Sequence, residues 1–282
     1  MDHDEETYLL LLLSDSNLPT GAFVASSGFE SYLKHAVSPS PSTGESRTID
    51  FLRDGLASYA RTSLPFVSDT HRLVAEWMDT NAGGEEGNMV GVVGKLSELD
   101  KFYEAQTLNH VARRASRAQG AALLTLYARG FSRPASLVEY SDPDSQARVK
   151  HIARVVEHFK LQVRREDTPG HLPVCWGILT AALGLSLDRS QYLHLFLNAR
   201  SILSASIRLN EIGPYNSQQI LLHAVSKIIA VEKSKCQNLR TGFLEDSGVE
   251  FDETIHGPAN TWPLGEILAS RHDLQHSRIF NS

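Results

Sequence analysis

Apolar residues along this chain recur with helical rather than strand spacing. Phe51, Leu52, Gly55, Leu56, Tyr59 and Ala60 fall at i, i+1, i+4, i+5, i+8 and i+9, which is one face of a helix. Thr48 or Asp50 is placed to cap its start. Pro65 suits a fresh helix start, running through Arg72, Val74 and Trp77 toward Met78 until Gly83, Gly84 and Gly87 break the chain. Two helices follow over about 96–109 and 111–129, the second ended by Gly130. Past Pro143, the residues Val149, Ile152, Ala153, Val156, Phe159 and Val163 form the inner face of a helix over 147–164. Segment 172–185 is apolar on nearly every side (Val174, Trp176, Ile178, Leu179, Ala182, Leu183), so it belongs in the middle of a bundle, with Gly184 ending it. Asp188 or Ser190 caps a helix over 191–209, and after the break at Gly213 and Pro214 a last one spans 218–239. No stretch alternates apolar and polar residues over a strand length. The pattern predicts an all-α fold, a single helical bundle of about eight to ten helices with mean lengths of ~11–12 residues.

At 282 residues and 41% hydrophobic, the chain can build one large core or two small ones. A net charge of -6 gives no basic nucleic-acid footprint over the whole chain. The charge is uneven, however. Arg113, Arg114, Arg117, Arg129 and Arg133 form one basic stretch, and Arg148, Lys150, Arg154, Lys160, Arg164 and Arg165 another. Glu245, Asp246, Glu250, Asp252 and Glu253 reverse the sign near the C-terminus. These runs read either as solvated helix faces or as complementary docking surfaces. Two cysteines, Cys175 and Cys236, both in apolar surroundings, and no N-x-[ST] acceptor fit a reducing compartment. The acidic start before the Leu9 to Leu13 run is unlike a signal peptide, and no apolar run reaches the ~20 residues that span a bilayer. A cytoplasmic protein that binds neither membrane nor nucleic acid is expected.

Catalytic and metal chemistry find little support. The run Val90-Gly91-Val92-Val93-Gly94-Lys95-Leu96 lacks the first glycine of a phosphate loop and has Leu96 where the motif needs Ser or Thr. There is no G-x-S-x-G elbow and no Cys/His signature, and Cys175 in an apolar helix reads as inert. His272 and His276, at i and i+4, are the weak candidates for a metal, alongside a reading of the chain as a metal-dependent all-α enzyme. His171, ahead of Pro173, reads as hydrogen-bonded locally. The Pro/Ser linker at 38–44 and the glycine-rich stretch at 83–91 read as surface loops. Composition divides the chain into a helical domain, 1–243, and an acidic linker and tail, 244–282, with little apolar surface to bury by itself.

The stretch Leu18-Pro19-Thr20-Gly21-Ala22-Phe23, followed by Ser27-Gly28-Phe29-Glu30, has a structural account. Pro19 and Gly21 suit a tight turn, and Ser27 with Glu30 fits a capping box. The alternative is that Glu30 points outward as a partner contact. These segments also resemble the opening signature of the urease accessory protein F family, UreF. Four more pieces in the same order carry the resemblance over most of the chain. They are Arg113, Ser116 and Gly120; Gly170-His171-Leu172-Pro173-Val174 with Gly177 and Gly184-Leu185; Ser204 to Leu209 with Ile212-Gly213 and Gln218; and Ser270, His272, Arg278, Ile279, Phe280 and Ser282, where serine and histidine stand one residue closer than in the family. The linker, the glycine loop and the long acidic tail point to a eukaryotic member, fungal or plant-like.

The resemblance implies an all-α homodimer with no catalytic residues and no intrinsic cofactor. It implies a urease chaperone that scaffolds nickel insertion. With the accessory protein UreD/UreH it would recruit the GTPase UreG to apo-urease, nickel being handled by the assembled complex. Partner-binding positions carried over are Pro19, Gly21, Ser27, Glu30, Arg208, Ser270, His272, Arg278, Phe280 and Ser282. The competing reading is a nickel-binding metallochaperone using His272 and His276.

Overall fold

The computed structural model describes residues 3–18, 20, 25–35, 43–80, 87–132, 143–244, 251–275 and 280. Every regular element among them is helical. Helices α1 (His3–Leu13), α2 (Phe29–Lys34), α3 (Gly44–Thr80), α4 (Gly87–Gln106) and α5 (His110–Leu126) come first. They are followed by α6 (Pro143–Arg164), α7 (Leu172–Ala182), α8 (Leu187–Arg208), α9 (Pro214–Ile220) and α10 (Ser226–Cys236). Short α11 (Glu253–His256) and α12 (Pro263–Ser270), with a 3-10 turn at Arg271–Leu274, complete the tail.

Helix α3 is the spine. Its N-terminal half, with Phe51, Leu52, Leu56, Ala60 and Leu64, forms one core with α2, α8, α10 and Leu268 of α12. Its C-terminal half, with Phe66, Val67, Val74 and Trp77, forms a second core with α4, α5, α6 and α7. Pro65 does not restart the helix: α3 runs unbroken through it. A proline inside a helix costs ~3 kcal/mol, and burial of Ser63 through His71 against neighbours on both sides outweighs that loss.

Helix α7 sits in the middle, as its apolar faces require, with every residue from Pro173 to Ala181 buried. It packs closest to α3 and α5 through glycines. A Cβ on Gly177 would lie 2.8 Å from Thr70 Cβ, and one on Gly120 only 2.1 Å from the Gly170 carbonyl oxygen. Gly184 ends α7 at φ +81°, its N–H donating to Ala181 O and that of Leu185 to Thr180 O, both at 2.9 Å.

Other boundaries differ from the sequence reading for physical reasons. Pro214 begins α9 at its first turn, where a missing N–H costs nothing, rather than breaking the chain ahead of Gln218. Gly130 lies inside a π turn, Tyr127–Phe131, that prolongs α5. Asn109 does not end α4; it caps α5. Helix α8 starts at Leu187 after Ser186, ahead of both expected caps. Among the described residues, no helix is long and apolar enough to cross a membrane.

Candidate functional site

Ser27 and Gly28 both take positive φ, +53° and +90°. Gly28 immediately precedes α2, and no side chain caps that helix, so the expected capping box is not made. Left-handed backbone at Ser27 turns the chain into α2, and the Phe29 N–H donates to Ser26 O at 3.0 Å. The reason for the glycine lies in the tail. A Cβ at Gly28 would come within 3.1 Å of Ala269 Cα on α12, so both φ and contact require glycine here.

Glu30 does not point outward; it is 2% exposed. Its carboxylate lies 3.6 Å from Lys34 Nζ and 3.9 Å from His272 Nδ1. His272, also buried, donates from Nε2 to Phe280 O at 3.1 Å. The Arg208 guanidinium stands over the Phe280 ring, 5.9 Å from its centroid. Gln275 Nε2 donates to Ser31 Oγ, and Arg271 Nε donates to His35 Nε2 at 3.1 Å. Ser270 turns back on its own helix, Oγ donating to Ile267 O at 2.9 Å. The structure therefore gathers Glu30, Arg208, His272 and Phe280 into one seat for the tail. Ser27 stands exposed beside it, and Pro19, Gly21, His276, Arg278 and Ser282 lie outside the described residues.

A second set of contacts holds the tail to α5. Asn109 Oδ1 accepts the N–H groups of Val111 (3.0 Å) and Ala112 (3.2 Å), while its Nδ2 donates to Glu266 O on α12 at 3.0 Å. Arg114 forks onto Asp273 at 2.9 and 3.0 Å, joined by His110 at 3.1 Å. The Arg114 bonds hold the Asp273 carboxyl well below the usual range. Glu104 likewise takes Arg113 at 3.0 Å and Arg117 at 2.5 Å. Three of the five arginines of the first basic stretch are thus paired within the chain, onto two carboxylates, which weakens the reading of it as a docking field. The tail leaves apolar side chains exposed, Leu264, Ile267 and Leu274, near exposed Arg271, and Leu108 is exposed beside Asn109.

The segment Gly170 to Val174 meets α4 and α5 through a buried polar network. Asp100 accepts from Thr168 Oγ1 (2.7 Å), Gly170 N (2.5 Å) and His171 N (2.8 Å). Ser116 Oγ accepts the Leu172 N–H at 3.0 Å and donates to His171 Nδ1 at 3.1 Å, while His171 Nε2 donates to Glu104 at 2.5 Å. Burial lowers the His171 pKa, opposed by Asp100 and Glu104. Burial pulls Glu104 upward, but the bonds from His171 and Arg113 bring its carboxyl below its usual value. A neutral imidazole bonded to an ionised Glu104 satisfies every partner. Ser116, His171 and Glu104 have the composition of a hydrolytic triad, but Ser116 and His171 are both buried and a lone pair of Ser116 is committed to the Leu172 N–H, which holds α5 against α7. The His171 side chain makes no local cap bond of the kind its place ahead of Pro173 suggested; its partners Ser116 and Glu104 come from α5 and α4.

Among the described residues, no group of three or more His, Cys, Asp or Glu side chains could hold a metal. The 3-10 turn ends at Leu274 and Gln275 is extended, so the helical spacing assumed for His272 and His276 is not continued. Cys175 and Cys236 are unpaired and buried, and burial raises both thiols, Cys236 to about 11.

A cavity of about 540 Å³ lies between α3, α5, α8 and the tail. Ser27, Gly28, Trp262 and Ala269 form the tail side, and Tyr59, Trp176, His194 and Asn198 the far side. His194 stacks on Tyr59 with centroids 5.1 Å apart. Burial depresses its pKa to about 3, so it is neutral. Sequence reasoning passed over Asp100, Glu104, Asn109, His194 and Asn198. Only two of these left a trace in sequence, Asn109 as a cap before a helical run and His194 as a polar residue between two leucines.

The sequence is similar to known proteins over most of its length. A family model described as UreF matches residues 43–225. The chain is 44% identical to urease accessory protein 6 of Cryptococcus neoformans var. grubii, covering 99% of this chain and 98% of that one. It is 29% identical to an uncharacterized urease accessory protein UreF-like of Schizosaccharomyces pombe, over 100% and 99% of the two chains. Identity to urease accessory protein F of Arabidopsis thaliana is 26%, over 96% and 90%.

Proposed function

Because this chain belongs to the UreF family, we propose that it serves urease maturation as an accessory protein that holds other proteins together and catalyses no reaction itself. It acts as a homodimer in the reducing cytoplasm. A UreD/UreH-type protein binds it, UreG joins, and the assembly delivers nickel to apo-urease without a resident cofactor on this chain. The observation that carries this reading is the tail seat. Glu30, His272 and Phe280 turn inward, exposed Arg208 lies over the Phe280 ring, and together they secure α12 and the turn after it, which leaves Leu264, Ile267 and Leu274, at 40%, 58% and 76% exposure, facing outward. Exposed apolar side chains on an ordered helix favour a protein partner.

This shifts the role of the tail residues. His272 and Phe280 act by positioning the docking face rather than by touching the partner. A pull-down tests the reading, using full-length protein and a version ending at Ala269 with cognate UreD/UreH and UreG. Full-length protein is expected to capture UreD/UreH, with UreG joining afterwards, and the shortened one to capture neither. Equal capture by both would remove the tail as anchor.

A further inference from the structure

We infer that the cavity between α3, α5, α8 and the tail is a binding site for an uncharged, mostly apolar small molecule that carries one N–H or O–H group. Its volume, about 540 Å³, falls within the range of small-molecule pockets. Phe51, Tyr59, Trp176 and Trp262 supply flat apolar walls.

Two polar atoms in this lining lack a hydrogen-bond partner, His194 Nε2 and Asn198 Oδ1. His194 is 3% exposed. The two residues are four apart on α8 and so project from one helix face. Leaving such atoms unpaired away from water is costly, and native structures rarely do so without a reason. Asn198 Oδ1 can only accept, so the occupant must donate to it, while His194 Nε2 gains a second hydrogen bond only where the occupant's polar group also accepts, as an O–H does.

The described lining contains no lysine or arginine, and its one carboxylate is Glu266. An anionic occupant is therefore disfavoured. Water can satisfy the two polar atoms but leaves the aromatic walls wetted, whereas a molecule with an apolar body and one donor dries the walls and pairs the Asn198 acceptor. The inference rests on the cavity alone and is independent of the scaffold reading.

Calorimetry and ligand-observed NMR on the full-length protein test it, with indole and with indene, the same ring shape without the N–H. Indole is expected to bind about tenfold tighter than indene, the worth of one hydrogen bond to an otherwise unpaired buried acceptor. Asn198→Leu removes the acceptor and fills the space, and His194→Phe keeps the ring on Tyr59 but removes Nε2. At least one of them is expected to bring indole to the level of indene or below. If Asn198→Leu does not fold, Ala115→Leu, which fills the cavity from α5, replaces it. No binding of either probe at about millimolar concentration marks a cavity holding water only, and overturns the inference. So does indole binding that is unchanged in the variants.

Discussion

Asp100 holds three donors, Thr168 Oγ1, Gly170 N and His171 N, at the entrance to the most buried helix of the molecule. Asp100→Ala would leave two backbone N–H groups without an acceptor in a buried place. It is expected to cost about 3 kcal/mol in chemical denaturation, at the upper end for lost bonds to a charged acceptor. His194 sets a pH dependence. Its folded pKa lies near 3 against 6.5 for the ordinary side chain, so between those values the unfolded chain binds a proton that the folded one refuses. The stability linked to it is fully present above pH 6.5 and falls as pH drops toward about 3, at up to ~1.4 kcal/mol per pH unit. Burial lowers His71 and His171 as well, and they act in the same direction. Denaturation curves across this window should flatten by about one proton in His194→Phe; an unchanged slope would mean that His194 is protonated in the folded protein. None of these roles was legible from residue type, because the bonds of Asp100, His171 and His71 join atoms 55 to 114 positions apart in the chain.

Helix positions, by contrast, were largely legible. Amphipathic spacing placed α6 and the first part of α3, glycines and caps placed α5 and α8, and unbroken apolarity placed α7 centrally, because burial of one face is what makes those segments helical. Local punctuation was read less well. Pro65 signals a break only while the helix is considered alone, and Ser27 with Glu30 signals a capping box only if α12 does not claim Glu30 through His272. The tail is the largest departure. Its composition suggested little self-burial, yet Leu268, His272 and Phe280 are each 3% exposed or less. A few anchors in a prepared seat suffice where average composition does not. Leu268→Ala removes the anchor that joins the α2–α3–α8 core and is expected to cost about 2–4 kcal/mol of tail docking. Limited proteolysis should then cut within 244–262 much faster while far-UV circular dichroism stays near its starting value. Equal cleavage rates would show that the tail is held elsewhere.

The described residues pack as two cores strung on α3, with a tail that bridges α2 and α5 and closes a cavity beneath it. Its docking face on this reading is the outer side of α12 and the turn after it. Ile267→Asp with Leu274→Asp alters exposed positions only, so the melting temperature should stay within a few degrees, while capture of UreD/UreH should fall about tenfold or more. Retained capture would place the partner on another face. The sequence by itself determined the all-α class, the central place of α7 and the UreF resemblance, since periodicity, composition and short motifs are local properties of a chain. It did not determine which motif residues face inward. That was decided by tertiary structure, because Glu30 and exposed Arg208 lie far in the chain from His272 and Phe280 and meet them only when α2, α8 and the tail pack together. The paired charges on α5 and the unpaired His194 and Asn198 in the cavity have the same origin: the energy of a buried polar atom depends on the neighbours that folding brings to it.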